Sequence, residues 1–187
     1  MYLASTPEAN ELLEQDAFAL LLGMMLDQQI PMEKAFTSPQ VLRERLGGML
    51  SPAALAAHDP AELEEIFTRT PALHRFPAAM AKRAQVLAGI VADEYDGDAA
   101  LIWTAAGSGP ELITRLSALP GFGPQKARIF AALVAKQLNT RPRGWREATE
   151  PYGEDGTFRS AADVVDPTSL TKVKAYKKQQ KAAAKAH

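Results

Sequence analysis

The sequence predicts an all-α fold, and three observations carry that expectation. Apolar residues recur at helical spacing, as Leu12, Leu13, Phe18, Leu21, Leu22, Met25 and Leu26 do. A capping side chain followed by proline marks helix starts at Ser51-Pro52, Asp59-Pro60 and Asp166-Pro167. No segment alternates apolar and polar residues between hairpin turns, as a half-buried strand would.

The elements follow in order. Residues 8–28 read as one long helix, stopped by Pro31. Thr37-Ser38-Pro39 opens a short helix over 40–46, and Gly47-Gly48 closes it. Ser51-Pro52 starts the next, and Asp59-Pro60 repeats the signal with Glu62 placed close to a capping box. Phe76-Pro77 opens a helix through Ala92, broken by Asp96-Gly97-Asp98. Ser108-Gly109-Pro110 starts a helix to Ala118, and residues 124–138 form its partner. Residues 139–165 are rich in Gly, Pro and Arg and show no period. Asp166-Pro167 caps a last helix to the C-terminus.

A chain of 187 residues predicts one domain, or two small lobes around one core. Hydrophobic residues make up 47% and charged residues 23%, as in globular proteins that fold in water. Cysteine is absent, which excludes disulfides, an iron–sulfur cluster, thiolate zinc and a cysteine nucleophile. No apolar run is long enough for a membrane helix, and residues 1–10 lack a signal peptide's pattern. The expected setting is cytoplasmic, nucleoid-associated in a bacterium, with no membrane partner. No coiled-coil seam is visible, and a monomer is expected. His58, His74 and His187 have no metal-ligand spacing. Tyr95 and Trp103 read as packing residues.

Charge is informative when divided. Residues 170–187 hold six lysines and no acid, leaving 15 basic against 22 acidic residues, a charge of −7, in the first 169. An acidic body with a basic tail meets a polyanion only at local patches. Lys174, Lys177, Lys178, Lys181 and Lys185 share one helical face, with Val173, Tyr176 and Ala183 opposite. That face reads equally as a phosphate-tracking stripe or as a solvated surface.

The stretch from Pro110 to Lys136 carries the chemistry. It reads as helix, then Leu119-Pro120-Gly121-Phe122-Gly123, then helix. Glycines at 121 and 123 permit a sharp turn that exposes backbone N–H groups, and the second helix aims its amides at the same place. Lys126 and Arg128 add charge, while Leu116, Leu119, Ile129, Phe130 and Leu133 are spaced to pack the two helices. Phosphate suits such a turn. A helix–helix connection with glycines for geometry alone fits the spacing as well.

Residues 119–127, Leu-Pro-Gly-Phe-Gly-Pro-Gln-Lys-Ala, resemble the helix-hairpin-helix (HhH) signature. Their setting resembles the HhH-GPD DNA glycosylases, the endonuclease III-like base-excision repair fold. Phe18 to Gln29 resembles that family's early helix and glutamine-bearing loop. Phe76 to Asp98, with Lys82-Arg83-Ala84, resembles the segment before the hairpin. Order and spacing agree from about Ala17 to Lys136.

The resemblance implies a two-lobed helical fold with duplex DNA carrying a damaged base held in a cleft. It assigns the DNA backbone to Gly121, Phe122, Gly123, Gln125, Lys126 and Arg128, with a monovalent cation possible at the hairpin and no other cofactor. It makes Gln29 the residue that fills the gap left by an extruded nucleotide. Without the resemblance, Gln28-Gln29 reads as a polar helix end before Pro31.

Two departures bear on catalysis. Bifunctional members carry a lysine two positions after the second hairpin glycine, where this chain has Gln125. Lys126 is one place further, about 100° around the helix, and does not inherit that role. The resemblance therefore implies a monofunctional glycosylase, in which water attacks, or a module without catalysis. The family's catalytic aspartate follows the second hairpin helix after a Gly/Pro-bearing loop and often caps the next helix. Here no acid precedes Glu147 in that region. If 152–165 is an insertion, Asp166 takes the role, Asp163 is the second choice, and Glu147 serves if there is none. Asp166 reads otherwise as an ordinary N-cap. Arg141, Arg143 and Arg146 around Trp145 read as a nucleic-acid contact or as a solvated loop anchored by its indole. Arg143, Lys174 and Lys178 complete the expected DNA contacts.

Overall fold

Asp16 divides the first apolar segment. Its carboxylate accepts the amides of Phe18 and Ala19 at 2.9 and 3.0 Å. The single helix expected over 8–28 is therefore two, α1 (Pro7–Gln15) and α2 (Ala17–Leu26). An aspartate that competes for backbone amides starts a helix better than it continues one. A second expectation also changes, because Pro39 does not open a helix but lies inside α3 (Met32–Arg45). Proline in a helix removes one backbone donor and crowds the preceding turn. Here the Thr37 and Ser38 hydroxyls donate back to the carbonyls of Glu33 and Lys34, and Phe36, Ser38 and Pro39 are buried.

The other starts agree with the sequence. Ser51 caps α4 (Pro52–Ala57), and Asp59 caps α5 (Pro60–Thr68). Next come α6 (Pro77–Glu94), α7 (Leu101–Thr104), α8 (Gly109–Ser117), α9 (Pro124–Gln137), α10 (Trp145–Ala148) and α11 (Pro167–Lys185). Helices α7 and α10 escape the sequence reading, since four residues carry too little periodicity. The computed structural model describes residues 1–185; His187 and the side chain of Lys185, named above, lie outside the described residues. Among the described residues there is no β-strand, only an isolated bridge between Ser108 and Arg143. The fold is all-α. Among the described residues no helix is long and apolar enough to cross a membrane.

The chain divides into two compact units. One comprises Ala4–Ile102 and Ala118–Phe122. Its centre is α2, buried at every position from Phe18 to Leu26. A helix that is apolar all round needs neighbours all round, and α1, α3 and α6 pack against it, while α4 and α5 pack on α6.

The other unit comprises Trp103–Ser117 and the chain from Gly123, together with Met1–Leu3. Its centre is α9, with Ala127 and Phe130 to Ala135 buried. Helices α8 and α10 and a 3-10 turn at Ala161–Asp163 pack on α9. Trp103 meets Phe130 edge-on, 5.5 Å between ring centroids. Residues 139–165 are irregular, as expected, and polar contacts order them. Lys136 pairs with Asp163 at 2.6 Å and donates to the Glu154 carbonyl. Gln137 donates to the carbonyls of Ala161 and Ala162, Arg146 to that of Gly153, and Arg159 to that of Pro151. Carbonyls without a helical or strand partner are satisfied by side chains.

Candidate nucleic-acid interface

In the unit built on α2, the chain leaves the helix through Gln28 and Gln29. Gln29 is exposed, with φ at +57°. For a residue with a Cβ that backbone costs about 1–2 kcal/mol and persists only where its surroundings hold it. Gln28 supplies the hold. Its amide donates to the Met25 carbonyl at 3.0 Å, its Oε1 accepts from Arg83 Nη1 at 3.2 Å, and its carbonyl meets His74 Nε2 at 2.9 Å.

His74 is 1% exposed, and its Nδ1 accepts the Phe76 amide at 3.0 Å. The proton therefore sits on Nε2 and is donated to Gln28, which fixes one neutral tautomer. The imidazole ties the Gln28 backbone to that of Phe76. The Phe76 ring is 44% exposed, with the Arg75 guanidinium 5.4 Å from its centroid.

The hairpin turn meets the same arginine. Gly121 has φ at +83°, and a Cβ placed there would stand 3.0 Å from Arg83 Cδ and 3.3 Å from Met25 Cγ. Arg83 thus touches both the glutamine loop and the turn, which are about ninety residues apart in sequence. Arg83 has no carboxylate partner among the described residues. The Phe122 ring is buried and its amide donates to the Leu119 carbonyl at 3.1 Å, so its side chain serves packing. Among the described residues the amides of Gly121, Gly123 and Gln125 have no protein acceptor.

In the other unit, Gly123 caps α9 at φ −72° and ψ 173°, an ordinary extended conformation, with no side-chain cap. Nothing lies within 4 Å of a Cβ built there. Of these two glycines, only Gly121 uses glycine's conformational freedom. Gln125 is exposed and donates to the Tyr152 hydroxyl at 2.8 Å. Lys126 is half-buried on the first turn of α9. Arg128 folds onto the carbonyls of Pro124 and Glu150, at 3.3 Å each. Leu116, Leu119, Phe130 and Leu133 are buried, as spacing predicts, and Ile129 is half-buried.

The arginines around Trp145 divide. Arg146 lies 4.7 Å over the indole and pairs with Asp155 at 2.7 Å, and Arg141 donates to the Ala135 carbonyl at 3.0 Å. Both brace the loop. Arg143 is exposed, and its guanidinium has no partner among the described residues.

The carboxylates divide as well. Asp163 is 9% exposed, with Oδ1 on Lys136 and Oδ2 accepting the amides of Arg159 and Ser160 at 2.8 and 3.1 Å. Both of its oxygens are occupied by protein. Asp166 is exposed and accepts the Ser169 amide through Oδ1 at 2.6 Å. Hydrogen bonds from the Ser169 amide and then its hydroxyl hold the Asp166 carboxyl below the usual range, so it is charged at neutral pH. The first helix after α9 is α10, capped by Gly144 rather than by an acid, with Glu147 exposed in its first turn.

The sequence reading gave no role to Arg83, His74 or Phe76. Their signal lies in contacts 46 and 55 residues apart, which periodicity does not encode. Lys174, Lys178 and Lys181 are exposed on α11. No protein-family model and no curated protein matches this chain.

Proposed function

We propose that the chain is an HhH-GPD-type DNA-repair protein that binds duplex DNA at a damaged base and acts as a monofunctional N-glycosylase. One observation carries the reading: Arg83 joins Gln28 to the turn at Gly121. The two segments that the resemblance assigns to one DNA duplex meet at the Arg83 side chain, which bonds Gln28 through its guanidinium and lies against Gly121 through its stem. The open amides of Gly123 and Gln125 at the start of α9 suit a phosphate, whose oxygens accept several donors at once. Gln29 is exposed and held in a strained backbone, as suits a side chain that enters the stack when a nucleotide leaves it. Phe76, tied to Gln28 through His74, offers an exposed ring for a base, and Arg75 and Arg83 offer charge.

The chemistry is hydrolysis. Water adds to the sugar C1′ while the N-glycosidic bond breaks and its electron pair departs with the base. A carboxylate stabilises the positive charge that develops at C1′ and takes the water's proton. Asp166 fits that task better than Asp163, because Asp166 is exposed and charged while both oxygens of Asp163 are engaged. Gln125 supplies no amine, so no Schiff base forms there.

A second reading rests on Gly144. The first helix after the hairpin begins without an acid, which favours a module that recognises damaged DNA and performs no chemistry. The deciding experiment uses duplexes each carrying one altered base: uracil, oxidised or alkylated bases, or a mismatch. Strand cleavage is read before and after alkali, with Asp166→Asn alongside. Cleavage only after alkali, lost in the variant, is the expected result. Cleavage that survives Asp166→Asn keeps the glycosylase and removes Asp166 from it. No cleavage on any duplex, with tight binding to an abasic site, establishes the second reading.

A further inference from the structure

Helix α11 is rooted at one end only. Asp166 and Ser169 cap it reciprocally, and Ser169 and Val173 are buried. Beyond Val173, every described side chain to Ala184 is exposed or half-buried. From Pro167 to Lys185 the helix carries six lysines and no acid. Four cations elsewhere are paired with acids, Lys136 with Asp163, Arg146 with Asp155, Arg159 with Glu154 and Arg115 with Glu111. Lys177, Lys178 and Lys181 have no carboxylate partner among the described residues. Lys177 and Lys181 are like charges one helical turn apart, with Lys178 between them along the chain, an arrangement that repels. An acidic partner relieves that repulsion.

We propose that this outer half of α11 is a second, sequence-independent contact for the DNA phosphate backbone. The inference rests on the reading of the chain as a DNA-repair protein and assigns that protein a further surface. The stripe from Lys174 to Lys181 rises about 10 Å, against one phosphate per about 3.4 Å of each strand. A regular array of phosphates matches a regular row of ammonium groups. The rest of the segment argues against a lipid surface. Its apolar side chains from 174 to 184 are alanines and Tyr176 alone, too little for an interfacial helix that must sink an apolar face into lipid. The remainder of the molecule carries net negative charge, so this element supplies attraction that the body as a whole lacks.

The test is the salt dependence of binding, read by fluorescence anisotropy with the full chain. Labelled duplexes, undamaged and abasic, are titrated between about 50 and 200 mM salt. The variant carries Lys174→Gln, Lys177→Gln, Lys178→Gln and Lys181→Gln together; a second carries arginine at the same four positions. Each lost phosphate contact flattens the slope of log affinity against log salt by about one. The expected result is a slope flatter by about four for the glutamine variant on both duplexes, restored by arginine, with the preference for the abasic duplex kept. A slope that stays at the wild-type value overturns the proposal, and the abasic preference then still supports the repair reading. A flattened slope with no abasic preference in the wild type keeps α11 as a DNA contact and removes the repair reading. Wild-type chain that binds neither duplex, or that binds anionic vesicles instead, overturns the proposal outright.

Discussion

Two glycines two residues apart do different work. Gly121 occupies φ +83° with Arg83 Cδ and Met25 Cγ against it. Alanine there meets a left-handed backbone and a crowded site, and it costs about 1–2 kcal/mol or more. Gly123 has an ordinary backbone and open space around it. Alanine there is only a poorer helix cap, within about 1 kcal/mol. Urea midpoints should therefore fall clearly for Gly121→Ala and little for Gly123→Ala. On the proposed function duplex affinity should fall for both, because a methyl group at 123 would crowd a phosphate at the α9 amides. Gly123→Ala that binds duplex as the wild type does would leave the turn a helix connection and nothing more. Sequence alone treats the two positions alike, since a Gly-x-Gly pattern does not say which glycine is bent and which is merely bare.

At the scale of elements, the cap of α11 makes a prediction about pH. Asp166 has its carboxyl held below the ordinary value, chiefly by the Ser169 amide. A carboxyl that binds its proton less readily when folded stabilises the fold above its unfolded value, near 3.9, and that contribution fades as pH falls through the lower folded value. Asp166→Ala should thus lower stability at neutral pH, and its difference from wild type should shrink in strong acid. Denaturant midpoints of the two proteins at neutral and at acid pH test it; a difference independent of pH would mean the charge plays no part. Capped starts of this kind were the legible part of the fold. Ser51, Asp59 and Asp166 each announce a helix because cap chemistry is local. Asp16 was missed because its cap sits inside a continuous apolar run, and Pro39 misled because Phe36, Ser38 and Pro39 itself are held by burial. The proposed site is consecutive at 119–127 and at Gln28-Gln29, but residues alone read the first equally as a helix connection and the second as a polar helix end. It was opaque where it is assembled, because His74, Phe76 and Arg83 join it through contacts between distant segments.

Across the whole molecule, charge and burial are separated along the chain, and this yields a prediction about truncation. The apolar core stops at Val173, while the excess of lysine begins there. Ending the chain after Tyr176 removes Lys177, Lys178, Lys181 and Lys185, and moves the formal net charge from −1 to −5. No buried side chain is lost among the described residues, so the urea midpoint should move by about 0.5 kcal/mol or less in equivalent stability, the ordinary range for surface changes. Affinity for undamaged duplex should respond differently. Counterion release scales with the number of phosphates neutralised, and losing three or four contacts costs tenfold or more near 150 mM salt. The truncated chain is thus expected to be as stable as the parent and a much weaker binder of ordinary DNA. Any preference for an abasic duplex should survive, since Gln29, Arg83 and the 119–125 turn are untouched. A truncation that lowers stability would show that the end of α11 packs to a degree its exposure denies; one that leaves both stability and affinity unchanged would return the lysines to the role of a solvated helix face.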